Sequence, residues 1–157
     1  MQIKFDFSEL TEFTKRLENS DLDLTFERIT KDISKALLNR IKGYTPVLDY
    51  DLLNAWDKNK FLVTETVNGY EVLLVNDMEY AVWVNDGHKQ RPGRFVPGIW
   101  LSANRFQYIE GYPRGMVLKK DWVKGRFFVE KGIKSLKNTR EIEQIIMREL
   151  KKWWDSV

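Results

Sequence analysis

The pattern of apolar and polar residues predicts helices at both ends of the chain and β-structure between them. Residues 3–7 alternate in the period of a short strand, and a short helix is predicted over about residues 8–19, capped by Ser8. A longer helix is predicted from about Thr25 to the terminating Gly43. Its apolar stripe consists of Phe26, Ile29, Ile33, Leu37 and Ile41.

The middle of the chain changes to β-rich segments. Pro46 interrupts the helical period, and Asp49 is predicted to cap a short helix that carries Leu52, Leu53 and Trp56. Residues 61–67 and 70–76 then predict an antiparallel hairpin with its turn at Asn68-Gly69. For residues 79–87 the pattern fits a strand and a helical turn equally, so both remain open.

The last third combines an irregular stretch with a terminal helix. Residues 88–114 are rich in Gly, Pro and Arg, and the aromatic residues 100–108 are predicted to fold back on residues 116–123 as a second hairpin. Asn138 or Thr139 is predicted to cap the final helix, with Glu141 completing a capping box. The apolar face of that helix is formed by Ile142, Ile145, Ile146, Leu150, Trp153 and Trp154.

These elements predict an α+β fold, in which helices from both ends pack on a small antiparallel sheet and residues 88–126 form a basic loop or hairpin excursion. A length of 157 residues suits a single domain over residues 1–157. The predicted core is Phe26, Ile29, Ile33, Leu37, Ile41, Val63, Leu73, Val75, Ile142, Ile146 and Leu150. Of the six tryptophans, Trp83, Trp153 and Trp154 are expected in the core, because they lie on apolar stripes.

Composition excludes several classes of protein. The chain has no cysteine, which removes disulfides, thiolate metal sites and cysteine nucleophiles. The first residues lack the apolar run of a signal peptide, and no apolar run is long enough to cross a bilayer. We therefore expect a soluble protein with no membrane partner.

Charge is distributed unevenly along the chain. The total is only +3, but residues 1–86 carry 10 basic and 16 acidic side chains, whereas residues 87–126 carry 9 basic and 2 acidic ones. Such a basic block can meet either an acidic protein surface or a phosphate backbone.

Candidate catalytic groups are few. His88 is the only histidine, so it has no second imidazole for a zinc site, and a solvated loop histidine is the simpler interpretation. The pairs Asp21/Asp23 and Asp49/Asp51 are better explained as helix-start residues than as cation ligands. The glycines form no phosphate-binding loop. We therefore expect no enzymatic activity, no catalytic or metal-binding residues, and no cofactor.

The aromatic residues between Arg91 and Arg126 are interleaved with cations and allow two interpretations. They could stack on bases while the cations neutralise phosphates, as in single-strand binding. Alternatively they pack a hairpin whose charges face solvent or a protein partner. Trp100 and Trp122 are the expected interface anchors in the second case.

The order of these motifs resembles the phage tail-component proteins of the head–tail joining or tail-completion type. Residues 45–47 (Thr-Pro-Val) and 52–56 (Leu-Leu-Asn-Ala-Trp) match the turn after the N-terminal helix, although Leu-Asp-Tyr at 48–50 replaces the family's Asp-Thr-Gly. The hairpin, the Tyr-Ala segment at 79–87 and Trp-Val-Lys-Gly-Arg-Phe at 122–127 follow in family order. The most similar stretch is Gly-His-Lys-Gln-Arg-Pro-Gly-Arg-Phe-Val-Pro at 87–97.

The resemblance implies a structural virion protein that caps the tail tube and joins the tail to the head-neck. It would be made in the bacterial host cytoplasm and incorporated at the tail end, as a ring of six subunits that are monomeric when isolated. Its partners would be copies of itself, the tail tube protein and the head-neck connector proteins, with a passing contact to phage DNA. A nucleic-acid-binding protein that uses residues 88–126 is the alternative.

Within that basic segment the expected interface residues are cations and aromatic side chains, and the segment is expected to become ordered on docking. They are Lys89, Arg91, Arg94, Phe95, Trp100, Arg105, Trp122, Lys124 and Arg126.

Overall fold

A computed structural model describes residues 21–47, 50–59, 61–66, 69–103 and 105–157 of the chain. The contacts divide these residues into two compact units, one comprising the described residues up to Asp77 together with Phe128–Val157, the other Met78–Phe127. The strand and helix predicted within residues 3–19 lie outside the described residues. The prediction of one domain stays a prediction, because a compact unit is defined by contacts and a domain by independent folding.

Helix α1, Leu22–Tyr44, is the central element of the first unit. Ile29 and Ile41 of the predicted stripe are buried, and Ala36, which lies outside that stripe, is buried as well. Two details of the prediction are wrong. Phe26 is 44% exposed rather than buried. The helix also continues through Gly43, and Thr45 closes it by donating its backbone N–H to the carbonyl of Ile41 at 2.9 Å.

Helix α2, Asp51–Asn59, buries Leu52, Ala55 and Trp56, which agrees with the short helix predicted here. The Trp56 indole Nε1 donates to Thr45 Oγ1 at 3.1 Å. That hydroxyl in turn donates to the carbonyl of Ile41 at 2.9 Å. The buried polar groups at the end of α1 therefore satisfy one another. Asp49, the predicted cap, lies outside the described residues.

Strands β1, Phe61–Thr66, and β2, Gly69–Leu74, form the predicted antiparallel hairpin. Thr66 pairs with Gly69, so Gly69 begins β2 instead of lying in the turn as predicted. Leu62 and Leu73 are direct cross-strand partners and are 61% and 58% exposed. The prediction that Leu73 belongs to the core is therefore wrong.

Two helices from the end of the chain complete this unit. Helix α4, Phe128–Lys137, packs on α1 and was not predicted; it buries Phe128, Gly132 and Leu136. Helix α5, Glu141–Ser156, was predicted, and it also packs on α1. The buried residues Ala36, Leu136 and Ile145 form a core cluster with the partly buried residues Ile33, Leu37 and Ile142 against it.

The start of α5 differs from the predicted capping box. Arg140 is the N-cap residue and makes no side-chain cap bond. The Thr139 hydroxyl instead accepts from the Glu141 backbone N–H at 3.4 Å. The Glu141 carboxylate pairs with Arg40 of α1 at 2.8 Å, so it tethers α5 to α1.

A charged cluster lies further along α5. Arg148 contacts Asp32 of α1 at 2.6 Å and the buried Glu149 at 2.8 Å. Glu149 also accepts from Lys152 at 2.7 Å. These hydrogen bonds, the one from Lys152 first, hold the pKa of the Glu149 carboxyl below its usual range.

The second unit resolves the alternatives for residues 79–87, since helix α3, Ala81–Asp86, leads directly into strand β3, Gly87–Lys89. Its other strands are β4, Phe95–Ser102; β5, Arg105–Tyr108; β6, Gly115–Val117; and β7, Trp122–Lys124. All pairings are antiparallel: β3 with β7, and β4 with both β5 and β6.

The predicted second hairpin is therefore wrong in its pairing. Residues 100–108 do not fold back as a block on residues 116–123, because β4 and β5 pair with each other within that aromatic stretch. The remaining strands pair over longer separations that local pattern does not reveal. The α+β fold class is confirmed, with helices from both ends of the chain and small antiparallel sheets.

Candidate interaction surface

The ribbon of β3 and β7 presents three of the predicted interface residues. Lys89 is the cross-strand partner of Trp122, and Gly87 is the partner of Lys124. Lys89 and Lys124 are exposed, and the Trp122 side chain is 48% exposed. A large aromatic ring and two cations therefore lie on a ribbon of two short strands.

The turn that follows β3 is fixed by backbone hydrogen bonds. Gln90 donates to the carbonyl of Asp121 at 2.8 Å, and Gly93 donates to that of Leu118, also at 2.8 Å. Leu118 returns a bond to the carbonyl of Arg94 at 2.9 Å. This segment was expected to be an irregular loop, but long-range backbone pairing gives it a defined conformation.

Arg91 and Arg94 project from this turn as exposed side chains. The Arg94 backbone N–H donates to the carbonyl of Arg91 at 3.2 Å, so the two residues lie on one turn. Within the described ranges neither guanidinium has an acidic partner. Two cations held close together without a carboxylate favour binding of an anionic group.

Phe95, Trp100 and Arg105 belong to the three-stranded sheet of β5, β4 and β6. Trp100 pairs with Phe106 across β4 and β5, their ring centroids are 5.2 Å apart, and the rings meet edge to face. The Trp100 side chain is 55% exposed and that of Phe95 is 50% exposed. Arg105, the first residue of β5, is exposed as well.

A glycine allows the aromatic packing on this sheet. Gly98 has a φ of +152° and a neighbouring Phe106 ring so close that a Cβ would lie 2.7 Å from the Phe106 Cζ. The ring covers the position where a side chain would otherwise stand, which leaves the indole of Trp100 beside it.

The second unit thus carries all nine predicted interface residues, and each of them is exposed. Lys89, Arg91 and Arg94 line one cleft, whereas Phe95, Trp100 and Arg105 lie on the three-stranded sheet. Arg126 follows β7 and donates its backbone N–H to the carbonyl of Val84 at 2.9 Å, which leaves its exposed guanidinium available to solvent.

The cleft has a volume of about 480 Å³ and was not predicted. It is lined by Trp83, His88, Lys89, Gln90, Arg91, Arg94 and Leu118. Trp83 was expected in the core but is 59% exposed. Sequence pattern missed the cleft because Leu118 reaches it only through the pairing of Gly93 and Arg94 with a distant segment.

His88 is not the solvated loop residue that the sequence indicated. It is half-buried in β3, and its ring centroid lies 6.1 Å from that of Trp83. Its Nδ1 is buried and has no hydrogen-bond partner among the described residues. His88 therefore forms part of the aromatic wall of the cleft.

The described part of the chain contains no group of three or more His, Cys, Asp or Glu side chains that could hold a metal ion. Asp21 and Asp23 lie at the start of α1, Asp21 as its N-cap residue and Asp23 in its first turn. Of the second acidic pair, Asp51 lies in the first turn of α2 and Asp49 is outside the described residues. All three described positions agree with the helix-start interpretation.

A second cleft, of about 580 Å³, lies on α5 in the first unit and is mainly apolar. Its lining includes Met147 and Trp154, which are 66% and 56% exposed, and Trp153, which is half-buried. Trp154 was expected in the core. Helical periodicity placed it on the apolar face of α5, but α1 covers only part of that face.

No helix among the described residues combines the length and the apolar character needed to cross a membrane.

Comparison with known proteins finds a relative of the chain. The chain is similar to YqbI, an uncharacterized protein of Bacillus subtilis (strain 168), with 32% identity over 113 residues. The match covers 65% of this chain and 65% of YqbI, so the chain spans just under two thirds of the length of this relative. No protein-family model matches the chain. No solved structure matches it either.

Proposed function

We propose that the protein is a tail-completion protein of a long-tailed phage or prophage. It caps the tail tube as a ring of six subunits and joins the tail to the head-neck connector proteins. Its location is the tail end of the virion, and it is made in the host cytoplasm. The order of motifs from residue 25 to residue 155 supports this proposal, above all the stretch at 87–97.

The observation that carries the proposal is the exposure of the predicted interface residues. All nine lie in Met78–Phe127, a unit that holds 9 basic and 4 acidic side chains. Three large aromatic side chains among them are about half exposed. Aromatic anchors beside exposed cations are typical of protein interfaces, where they supply most of the binding energy.

We also propose that the protein acts by binding and not by catalysis. The sequence offers one histidine and no cysteine. His88 has no positioned acid or nucleophile among the described residues, and a general base needs such a neighbour within hydrogen-bond reach. Head-to-tail contacts in a ring instead require two different patches on one subunit, which the uneven charge along this chain provides.

Binding of nucleic acid is the second candidate function. The same exposed aromatic side chains and cations can stack on bases and neutralise phosphates. The two functions differ in their response to salt, because each phosphate contact releases counterions on binding. A tail-completion protein requires little affinity for DNA of arbitrary sequence, at any salt concentration.

The direct test is to delete the coding sequence from the phage or prophage that encodes the protein and to examine the particles by electron microscopy. Separate heads and tails, restored to virions by the wild-type protein in trans, are the expected result. Normal virions without the protein would overturn the proposal. A normal yield of joined particles that lack packaged DNA would favour the nucleic-acid function.

A charge-reversal pair then tests the surface. The variant Arg91→Glu/Arg94→Glu should fold normally but fail to restore joined virions. The variant Lys131→Glu/Lys134→Glu reverses the same amount of charge on exposed residues of α4 and should restore them. Restoration of joined virions by both variants would show that Arg91 and Arg94 are not part of the essential surface.

A further inference from the structure

The cleft of about 480 Å³ in the second unit combines two kinds of wall. Lys89, Arg91 and Arg94 supply positive charge to its lining and are called the cationic wall. Trp83 and Leu118 supply apolar surface to the lining and are called the apolar wall. The volume suits one or two side chains of a ligand and is at the lower end for sites that enclose small molecules.

The cationic wall is held in position by the backbone rather than by ion pairs. Arg91 and Arg94 share a turn, which the bonds between Gly93, Arg94 and Leu118 attach to the segment before β7. Lys89 is fixed in β3 by its pairing with Trp122. The described lining contains no Asp or Glu, so these charges are not neutralised from within the cleft.

Guanidinium groups in this arrangement select for the shape of the anion. An arginine side chain presents a planar set of donors that can hold a carboxylate through two parallel hydrogen bonds. Two arginines three residues apart, together with one lysine, provide donors for one or two such carboxylates.

The apolar wall requires a second feature in the ligand. Trp83 is 59% exposed, and its contact with the His88 ring keeps it beside the cleft. Leu118 is half-buried and is bonded through its backbone to the arginine turn. A ligand with only a charged group would leave the apolar surface of Trp83 and Leu118 exposed to water. A ligand with an apolar group next to its charged group would bury that surface.

We propose that this cleft binds a peptide segment in which an Asp or Glu side chain adjoins an aliphatic or aromatic one. This inference rests on the proposed function, because it states the chemistry of the virion subunit that the second unit meets. Three cations are enough for such a peptide. Binding to DNA at physiological salt requires more phosphate contacts than the three cations of this cleft can make.

The inference is tested on the isolated full-length protein. A displayed library of random heptapeptides is selected against the wild type and against Arg91→Gln/Arg94→Gln. The affinity of the enriched peptide is then measured by fluorescence anisotropy. The same peptide with Gln or Asn in place of its acidic residue is measured for comparison. Lys131→Gln/Lys134→Gln serves as the control that removes the same charge from α4.

Wild-type selection should enrich Asp or Glu next to an apolar residue. The affinity should fall about tenfold or more when the acid is neutralised or when both arginines are replaced, and it should be unchanged in the control variant. Selected peptides without an acidic residue, or an affinity indifferent to Arg91 and Arg94, would overturn the inference.

Two further measurements keep the result unambiguous. If the double variant does not fold, the wild-type protein is followed by NMR, with the indole N–H resonance of Trp83 assigned from the variant Trp83→Phe. Adding the peptide should shift the Trp83 resonance and leave that of Trp153 in place. An unshifted Trp83 resonance would overturn the inference. Displacement of the peptide by a 20-nucleotide single strand would assign the cleft to nucleic acid. If the peptide does not bind this cleft, the result of the gene deletion still stands. The proposed function and the peptide-binding inference can therefore fail separately.

Discussion

Gly132 in α4 lies directly against Ile41 in α1. A Cβ on Gly132 would fall 2.6 Å from Ile41 Cγ1 and 2.9 Å from both the Cα and the backbone nitrogen of Ile41. Side chains do not approach backbone atoms this closely, so the absence of a side chain at residue 132 sets the distance between the two helices.

Replacing Gly132 by Ala should therefore destabilise the protein despite the higher helix propensity of Ala. Forcing α4 away from α1 should cost about 1 to 3 kcal/mol in the free energy of unfolding, measured with urea. Gly43→Ala is the matched control, since Gly43 is also helical but has nothing within 4 Å of its Cβ position. That change should be neutral or stabilising by up to about 1 kcal/mol. Equal effects at the two sites would show that α1 and α4 are not in close contact.

A second prediction concerns the hydrogen bond between Trp56 and Thr45. Thr45→Val keeps the shape of the side chain but leaves the buried indole N–H of Trp56 without its acceptor. The expected loss is about 1 to 3 kcal/mol, the usual cost of an unsatisfied buried group. The double variant Thr45→Val/Trp56→Phe should lose less than the sum of the single changes. Strict additivity in this cycle would show that the bond does not form.

Two leucines distinguish the core from the open face of the hairpin. Leu136→Ala should cost about 2 to 5 kcal/mol, because Leu136 is 4% exposed within the core cluster. Leu73→Ala should change stability by about 0.5 kcal/mol or less, because Leu73 faces solvent beside Leu62. Thermal melting of both variants is the measurement. A large loss at Leu73 would mean that something covers this face in the isolated protein.

The Glu149 cluster predicts a dependence of stability on pH. Hydrogen bonds from Lys152 and Arg148 lower the pKa of Glu149 in the folded protein, so this carboxylate stabilises the fold above its unfolded pKa. The contribution disappears as the pH falls through the lower folded pKa, in the range below about pH 4. Glu149→Gln should therefore be less stable than the wild type at pH 7, and the difference should shrink on acidification in urea unfolding. A difference that stays constant between pH 7 and pH 3 would argue against the ion pairs.

The sequence predicted the elements that carry a long periodic pattern. The stripe from Ile29 to Ile41 and that of α5 repeat over several turns, so local spacing was enough to identify both helices. Helix α4 has ten residues, and the buried Gly132 occupies a position where the pattern requires an apolar side chain, so it was missed. Phe26 was placed on the correct helix, but its burial depends on which neighbours reach that end of α1.

The same distinction applies to the candidate surface. The nine exposed residues could be predicted from charge and aromatic content, because both properties follow from the residue type alone. The cleft depends on pairing between positions about 25 to 35 residues apart, as between Gly93 and Leu118 or His88 and Val123. Local pattern contains no signal for such contacts, and nothing in the spacing of Trp83 indicated that it would remain exposed.

The main packing partners of α1 are α4 and α5, which follow it only after a long stretch of chain, and this separation has a consequence for synthesis on the ribosome. Residues 22–44 leave the ribosome before α4 and α5 have been translated, so α1 lacks its main packing partners until residues 128–156 emerge. Every strand pairing of Met78–Phe127 is contained within that segment, so it can form while translation continues. At elongation rates of about 5 to 20 residues per second, the apolar face of α1 stays exposed for several seconds. Nascent chains of this protein are therefore expected to depend on ribosome-associated chaperones. Refolding of the complete chain is expected to proceed without them.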